Sequence, residues 1–185
     1  TCVETLADVR DSVRYVRRVA GEYHIDPQRI GAMGRSAGGT LAALLAVKTG
    51  AGEEDARIRA AVCLAGVYDF VGRFTDPKQL ALQTGWEKKR QSNEQWIGAP
   101  LAPDADAWLD ASASTHVGPD SPPILLLHAK DDPVVPWLQS RDMHAAMQAA
   151  GATSEIRMYE DGGHAVQPKH ARPLDEMVAF FRKYL

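Results

Sequence analysis

Gly34-Arg35-Ser36-Ala37-Gly38 spells G-x-S-x-G, and its placement matters more than the pattern. It lies between a short apolar run, Ile30 to Gly34, and an Ala- and Leu-rich stretch that continues through Val47. A serine on a sharp strand-to-helix turn is strained, and its hydroxyl stands exposed above a sheet. Gly34 and Gly38, two residues to either side, let neighbouring backbones approach. The Ala37 N–H, at the helix start, is aimed where an oxyanion would develop. A serine here also serves as a helix cap. The strand before it and the helix after it favour a nucleophile.

A hydroxyl is a poor nucleophile without a base, so a histidine and a carboxylate are expected downstream. In a parallel sheet such groups collect at the carboxyl ends of strands. The apolar run Pro123 to His128 is followed by Ala129-Lys130-Asp131-Asp132-Pro133, and Glu155 to Tyr159 by Glu160-Asp161-Gly162-Gly163-His164. Ser36, Asp132 and His164 then follow the order of a Ser–Asp–His triad, each on a loop after a strand. Residue chemistry alone does not separate Asp131 from Asp132. His116 is the best rival to His164, His128 is expected to satisfy local hydrogen bonds at a strand end, and Asp69 to sit in a turn. His24, His144 and His170 are expected in solvent. A metal site from His128, Asp131, Asp132 and His164 is the rival chemistry. No tight two-histidine spacing or cysteine cluster supports it, and no metal or organic cofactor is implied.

The elements that must position these groups alternate. Leu6, Val9, Val13, Val16 and Ala20 step by three and four, which predicts an amphipathic helix ending near Gly21. Asp26 to Arg29 reads as a turn into a strand at Ile30–Gly34, and Ser36 to Val47 as a buried helix. Ile58 to Gly66 and Pro123 to His128 are continuous apolar runs, as in parallel strands covered on both faces. Gln139 to Ala150 predicts a helix closed by Gly151, and Glu155 to Tyr159 a fourth strand. Leu174, Met177, Val178 and Phe181 mark a last amphipathic helix. Strands alternating with helices predict an α/β fold, a mostly parallel sheet with helices on both faces.

The stretch between Phe70 and Pro122 breaks this rhythm. It holds Trp86, Trp96, Trp108 and the charged Glu87-Lys88-Lys89-Arg90, and so long an excursion between strands is usually functional. The chain divides into a core at 1–69, a cap- or lid-like insertion at 70–122, and a core at 123–185. Arg35, Trp86, Trp96 and Trp137 are the expected substrate contacts.

Composition excludes several classes. The 185 residues carry 24 acidic and 21 basic side chains and are 45% hydrophobic, an ordinary globular balance without the basic block that nucleic acid requires. The longest apolar runs are far below the ~20 residues of a membrane span. Two cysteines, with Cys63 inside an apolar run, do not make a disulfide framework. Helical periodicity begins almost at once, without an initiator Met or signal pattern, so the chain reads as starting inside something larger and gives no compartment.

Residues 26–39, Asp-Pro-Gln-Arg-Ile-Gly-Ala-Met-Gly-Arg-Ser-Ala-Gly-Gly, resemble the nucleophile region of α/β-hydrolase esterases and lipases. The closest likeness is to bacterial acetyl-esterase and feruloyl-esterase-like enzymes, neighbours of the hormone-sensitive-lipase-like group. Pro122 to His128, then Asp132-Pro133-Val134-Val135-Pro136, resembles that group's acid-bearing segment. The likeness puts the acid on Asp132, directly before a proline. Gly163-His164 resembles the histidine loop, and Gly66-Val67-Tyr68-Asp69 the strand end before the family's insertion. The resemblance runs over nearly the whole chain and is weakest at 70–122. Two departures are small-for-small: His128-Ala129 where the family has His-Gly, and Gly163-His164-Ala165 where Gly-His-Gly is common.

The resemblance implies a serine carboxylic-ester hydrolase acting on short-chain acyl esters of carbohydrates or aryl alcohols. The alternatives are a peptidase resembling prolyl oligopeptidase and a non-catalytic hydrolase-like binding module. The family's first strands, and the His-Gly-Gly loop with the second oxyanion donor, have no counterpart in this sequence. Four further strands would take roughly 100 residues, at about 30 per βαβ unit. The strand at Ile30–Gly34 is then expected to be an apolar edge. Its partner is expected to be the upstream part of the same enzyme or a second copy of the chain.

Overall fold

The structure is a computed structural model that describes residues 1–49, 52–102 and 104–185. Helix α1 (Cys2–Arg18) starts on a capping box, in which Thr1 accepts from the Glu4 N–H and Glu4 reaches back, and ends on Arg17 and Arg18. That polarity suits the helix dipole at both ends. Strand β1 (Gly31–Arg35) turns at Ser36 into α2 (Ala37–Lys48), followed by β2 (Ala60–Leu64). Four short helices come next: α3 (Phe70–Thr75), α4 (Pro77–Ala81), α5 (Trp86–Ile97) and α6 (Asp106–Ala111). The chain finishes with β3 (Ile124–Ala129), α7 (Leu138–Ala149), β4 (Ser154–Tyr159) and α8 (Pro173–Tyr184).

The four strands form one parallel sheet in the order β1-β2-β3-β4. Arg35 pairs with Leu64, Leu64 with Leu127 and Ala129 with Tyr159, so the carboxyl ends are nearly level. Loops leaving β1, β3 and β4 therefore emerge along one rim. Side chains alternate across the sheet. Ala61, Cys63, Ile124 and Leu126 face the larger core with α1, α2 and α7, while Ala60, Val62, Leu64, Leu125 and Leu127 face α8. Both faces of β2 and β3 are covered, which explains why those strands read as unbroken apolar runs. Cys2 and Cys63 are buried free thiols.

The last helix corrects an expectation. Of the predicted stripe, Leu174 and Val178 are exposed; Phe180 is the buried residue, with Met177, Phe181 and Tyr184 packed beside it. These four sit at i, i+3, i+4 and i+7, the set that meets one sheet face, and it leaves 174 and 178 on the flank.

The 70–122 stretch packs into the main core rather than lying loosely over it. Phe70 tilts against Trp96 at 5.5 Å, and Phe74 meets the fully buried Trp108 edge-on at 6.2 Å. Gln139 of α7 pins the start of this stretch: its Oε1 accepts from the Tyr68 and Asp69 N–H groups, and its Nε2 donates to Asp69 O and Gln79 Oε1. A buried amide must find such partners. Here they fix where α3 and α4 stand against the rim. On the far side, β1 pairs only with β2 among the described residues, and Met33 on that edge is 59% exposed.

Candidate active site

Ser36 sits at φ 56° and ψ −122°, a left-handed conformation that non-glycine residues rarely hold. Its neighbours over-determine it. The Ser36 N–H donates to Leu64 O at 2.8 Å, continuing the β1–β2 ladder, and its carbonyl accepts from the Thr40 N–H at 3.0 Å. Gly34 makes the turn sterically possible, because a Cβ there would lie 2.2 Å from Gly38 O. Gly39 lets α2 close on β2: its Cβ would meet Leu64 O at 2.8 Å.

His164 arrives from the loop after β4, where Gly162 at φ 131° and Gly163 at φ 54° turn the chain back. Asp131 holds that turn, accepting from the Gly163 N–H at 2.8 Å and the Gly162 N–H at 3.3 Å. The two adjacent aspartates thus do different work. Asp132 takes the His164 Nδ1–H on Oδ2 at 2.8 Å, and His164 Nε2 lies 2.8 Å from Ser36 Oγ. A carboxylate only accepts, so Nδ1 carries the proton and Nε2 presents its lone pair to the serine hydroxyl.

Burial of Asp132 opposes its ionisation. Hydrogen bonds from His128, from His164 and from the Val134 and Val135 N–H groups outweigh that and hold its carboxyl well below the ordinary range. Val134 and Val135 donate to Oδ1 at 2.8 and 3.1 Å. His128, fully buried, lies with Nε2 3.2 Å from Asp132 Oδ2 and 3.0 Å from Val135 O, and with Nδ1 2.8 Å from Ser140 Oγ. Two acceptors at Nε2 place the proton there, so the Ser140 hydroxyl donates to Nδ1. His128 does satisfy local hydrogen bonds, as expected, and one of its partners is Asp132. The sequence signal for this is the i, i+4 spacing of His128 and Asp132 across a strand end.

The cavity that Ser36 and Ala37 border measures about 280 Å³. Leu41, Val67, Phe70 and Trp96 give it apolar walls, and Arg73 and Asn93 a polar end. Thr5 of α1 closes it through a hydrogen bond from Trp96 Nε1 at 3.2 Å. Of the four expected substrate contacts, only Trp96 lines this space. Arg35 is exposed on the β1 rim, Trp86 packs against the core, and Trp137 precedes α7 with Arg141 over its ring at 5.5 Å. Arg73 and Asn93 carried no sequence signal, because the short helices of this stretch have no periodicity to place them.

The other candidates fall elsewhere. His116 bonds Asp110 O and lines a larger cleft of about 730 Å³ beside Ile58, Arg59, Pro122 and Pro123, at the amino ends of β2 and β3. That is the opposite rim from Ser36, Asp132 and His164. Asp69 caps α3 through the Gly72 N–H, and His144 Nδ1 lies 2.7 Å from Ser154 Oγ rather than free in solvent. His24 and His170 are exposed. Among the described residues no group of three or more His, Cys, Asp or Glu is arranged to hold a metal ion, and no helix is long and apolar enough to cross a membrane.

A parallel sheet with a strained serine after its first strand, an aspartate after its third and a histidine after its fourth defines an α/β-hydrolase. The chain belongs to the BD-FAE family, which it matches over residues 2–147. It is 34% identical over 151 residues to the probable carboxylic ester hydrolase LipM of Mycobacterium tuberculosis, covering 76% of this chain and 33% of that one. Among solved structures it is similar to a truncated carbohydrate esterase from gut microbiota, with TM-score 0.73, 26% identity, and 96% and 67% of the two chains covered. It is also similar to the propionate-bound esterase 2 of Thermogutta terrifontis, with TM-score 0.70, 26% identity, and 96% and 64% covered. The chain spans about a third of the length of the first two curated relatives it matches.

Proposed function

We propose that this chain carries the catalytic residues of a serine carboxylic-ester hydrolase acting on short-chain acyl esters of carbohydrate or aryl alcohols. The observation that carries the proposal is the relay Ser36 Oγ–His164 Nε2 and His164 Nδ1–Asp132 Oδ2, each 2.8 Å long. Ser36 attacks the ester carbonyl while His164 Nε2 takes its proton. The proton then passes to the leaving alcohol, and water, deprotonated by the same nitrogen, releases the acyl group. Asp132 keeps the imidazole in the required tautomer and stabilises the imidazolium. The Ala37 N–H, at the start of α2 and bordering the cavity, is the oxyanion donor this chain supplies. The short-chain reading is supported by the cavity volume and by the propionate-bound relative, and the sugar alcohol by the carbohydrate esterase relative.

A fluorophosphonate probe with intact-mass readout tests the nucleophile. The expected result is one adduct on the wild-type chain and none on Ser36→Ala. Absence of an adduct on a folded wild-type sample would contradict an activated serine. Turnover of 4-nitrophenyl acetate and an acetylated sugar, compared with a peptide amide, separates an esterase from a peptidase.

A further inference from the structure

Arg73 is buried, 5% exposed, in the wall of the Ser36 cavity, and among the described residues no carboxylate forms an ion pair with it. Its guanidinium has five N–H groups and makes three hydrogen bonds, all to neutral oxygens: Nε to Gln83 Oε1 at 3.2 Å, Nη1 to Asn93 Oδ1 at 3.4 Å and Nη2 to Val134 O at 3.0 Å. Burial pulls its pKa down to about 10, with Asp132 opposing, so the group remains a cation at neutral pH. Asp132 attracts it through space, but neither Asp132 oxygen hydrogen-bonds it: both are held by the two histidines and by the Val134 and Val135 N–H groups. A second cation converges on the same carbonyl: Lys89 Nζ donates to Val134 O at 3.0 Å. Buried charges in proteins are paired, and this one lines a cavity with two of its five N–H groups unbonded among the described residues. An arginine fork matches a carboxylate in shape and charge.

We infer that the Arg73 end of the cavity binds a carboxylate on the substrate, so the preferred esters are monoesters of short dicarboxylic acids. This rests on the ester-hydrolase proposal above. The acyl side is assigned because the acyl group remains bonded to Ser36 after the alcohol departs, and Ser36 opens into this cavity. Its apolar walls accommodate the methylenes between the two carbonyl carbons, and Arg73 with Asn93 meets the far carboxylate. The chemistry is otherwise unchanged: the Ser36 Oγ–carbonyl bond forms, the ester C–O bond breaks, the proton leaves with the alcohol through His164, and water splits the acyl-enzyme.

The test compares kcat/KM for the 4-nitrophenyl monoester of glutaric acid with that for its neutral methyl diester, in wild type and in Arg73→Gln. The wild type is expected to prefer the acid by about ten- to a hundredfold, as a charge-assisted fork allows. In Arg73→Gln that ratio is expected to fall to near one, mainly through KM for the acid. The ratio is the decisive quantity because a general loss of folding or catalysis does not move it. A wild-type ratio near one overturns the proposal, as does a ratio unchanged in the variant. If Arg73→Gln does not fold, the wild-type ratio still decides, and Arg73→Lys, which keeps the charge without the fork, is expected to lie between. Failure to hydrolyse either ester counts against the hydrolase assignment, and saturation-transfer NMR with free glutarate then decides the site by itself. Binding of glutarate but not of 1,5-pentanediol supports the site, and equal or absent binding of both overturns it.

Discussion

Asp132 Oδ2 faces two histidines, and the second adds one of the four hydrogen bonds that keep so deeply buried a carboxylate ionised. Its depressed titration has a definite sign. An unfolded aspartate titrates near pH ~3.9. The folded one titrates lower, so its stabilisation is fully present above that pH and is lost as pH falls through the folded pKa. His128→Leu removes one donor, raises the folded pKa towards its unfolded value and is expected to cost about 1.5–3 kcal/mol at neutral pH. Urea denaturation at pH 7, 4 and 2 should show a wild-type-minus-variant difference that narrows as pH falls below the variant's folded pKa; an equal difference throughout would reduce His128 to packing. Much of this constellation was legible in the sequence. The placement of Ser36 and His164 followed from strand-then-loop spacing, whereas the choice of Asp132 needed the resemblance, because Asp131 and Asp132 are chemically alike. What separates them is a backbone turn that presents the Val134 and Val135 N–H groups to one and the Gly162 and Gly163 N–H groups to the other.

The β1–Ser36–α2 elbow treats its two flanking glycines unequally. A Cβ at Gly34 would penetrate the Gly38 backbone, while a Cβ at Gly38 meets nothing within 4 Å. Gly34→Ala therefore has to force strand and helix apart, at a cost of about 1–3 kcal/mol or more. Gly38→Ala is expected to be neutral or to stabilise α2 by up to about 1 kcal/mol, since alanine favours a helix over glycine. Thermal melts of the two variants, followed by fluorophosphonate labelling, check this: Gly34→Ala should melt earlier and label weakly, and Gly38→Ala should do neither. Equal effects would contradict the steric asymmetry. At this scale the strands were readable because β2 and β3 are apolar on both faces. The stripe of α8 was not, since Leu174 and Phe181 look equally apolar in sequence and only the helix's rotation on the sheet distinguishes them. Three of the four helices of 70–122 are shorter still, and the stretch is placed by long-range contacts such as Phe70–Trp96 and Gln139–Asp69 rather than by local pattern.

Across the whole molecule the sheet is closed unevenly. Among the described residues β4 and β1 each pair on one side only, and on β1 Met33 is exposed. Unpaired strand groups beside apolar side chains are a template for further pairing. The strand leading into Ser36 is one of the two edge strands of the described sheet, so whatever pairs with β1 steadies the backbone that sets Ser36. In solution this edge is expected to drive concentration-dependent self-association of the 185-residue chain. Met33→Lys places a charge on the edge and should weaken that association, and because Met33 is exposed and does not line the Ser36 cavity the lysine is expected to leave Ser36, His164 and Asp132 in place. Sedimentation velocity across micromolar to roughly 100 µM, the range where exposed edges associate, is the measurement. Wild type should shift towards a dimer or larger species with concentration, and Met33→Lys should shift less. A wild-type chain that stays monomeric throughout would show that the edge is inert as built, and the elbow would then owe its geometry to Gly34, Gly39 and the Leu64 hydrogen bond alone.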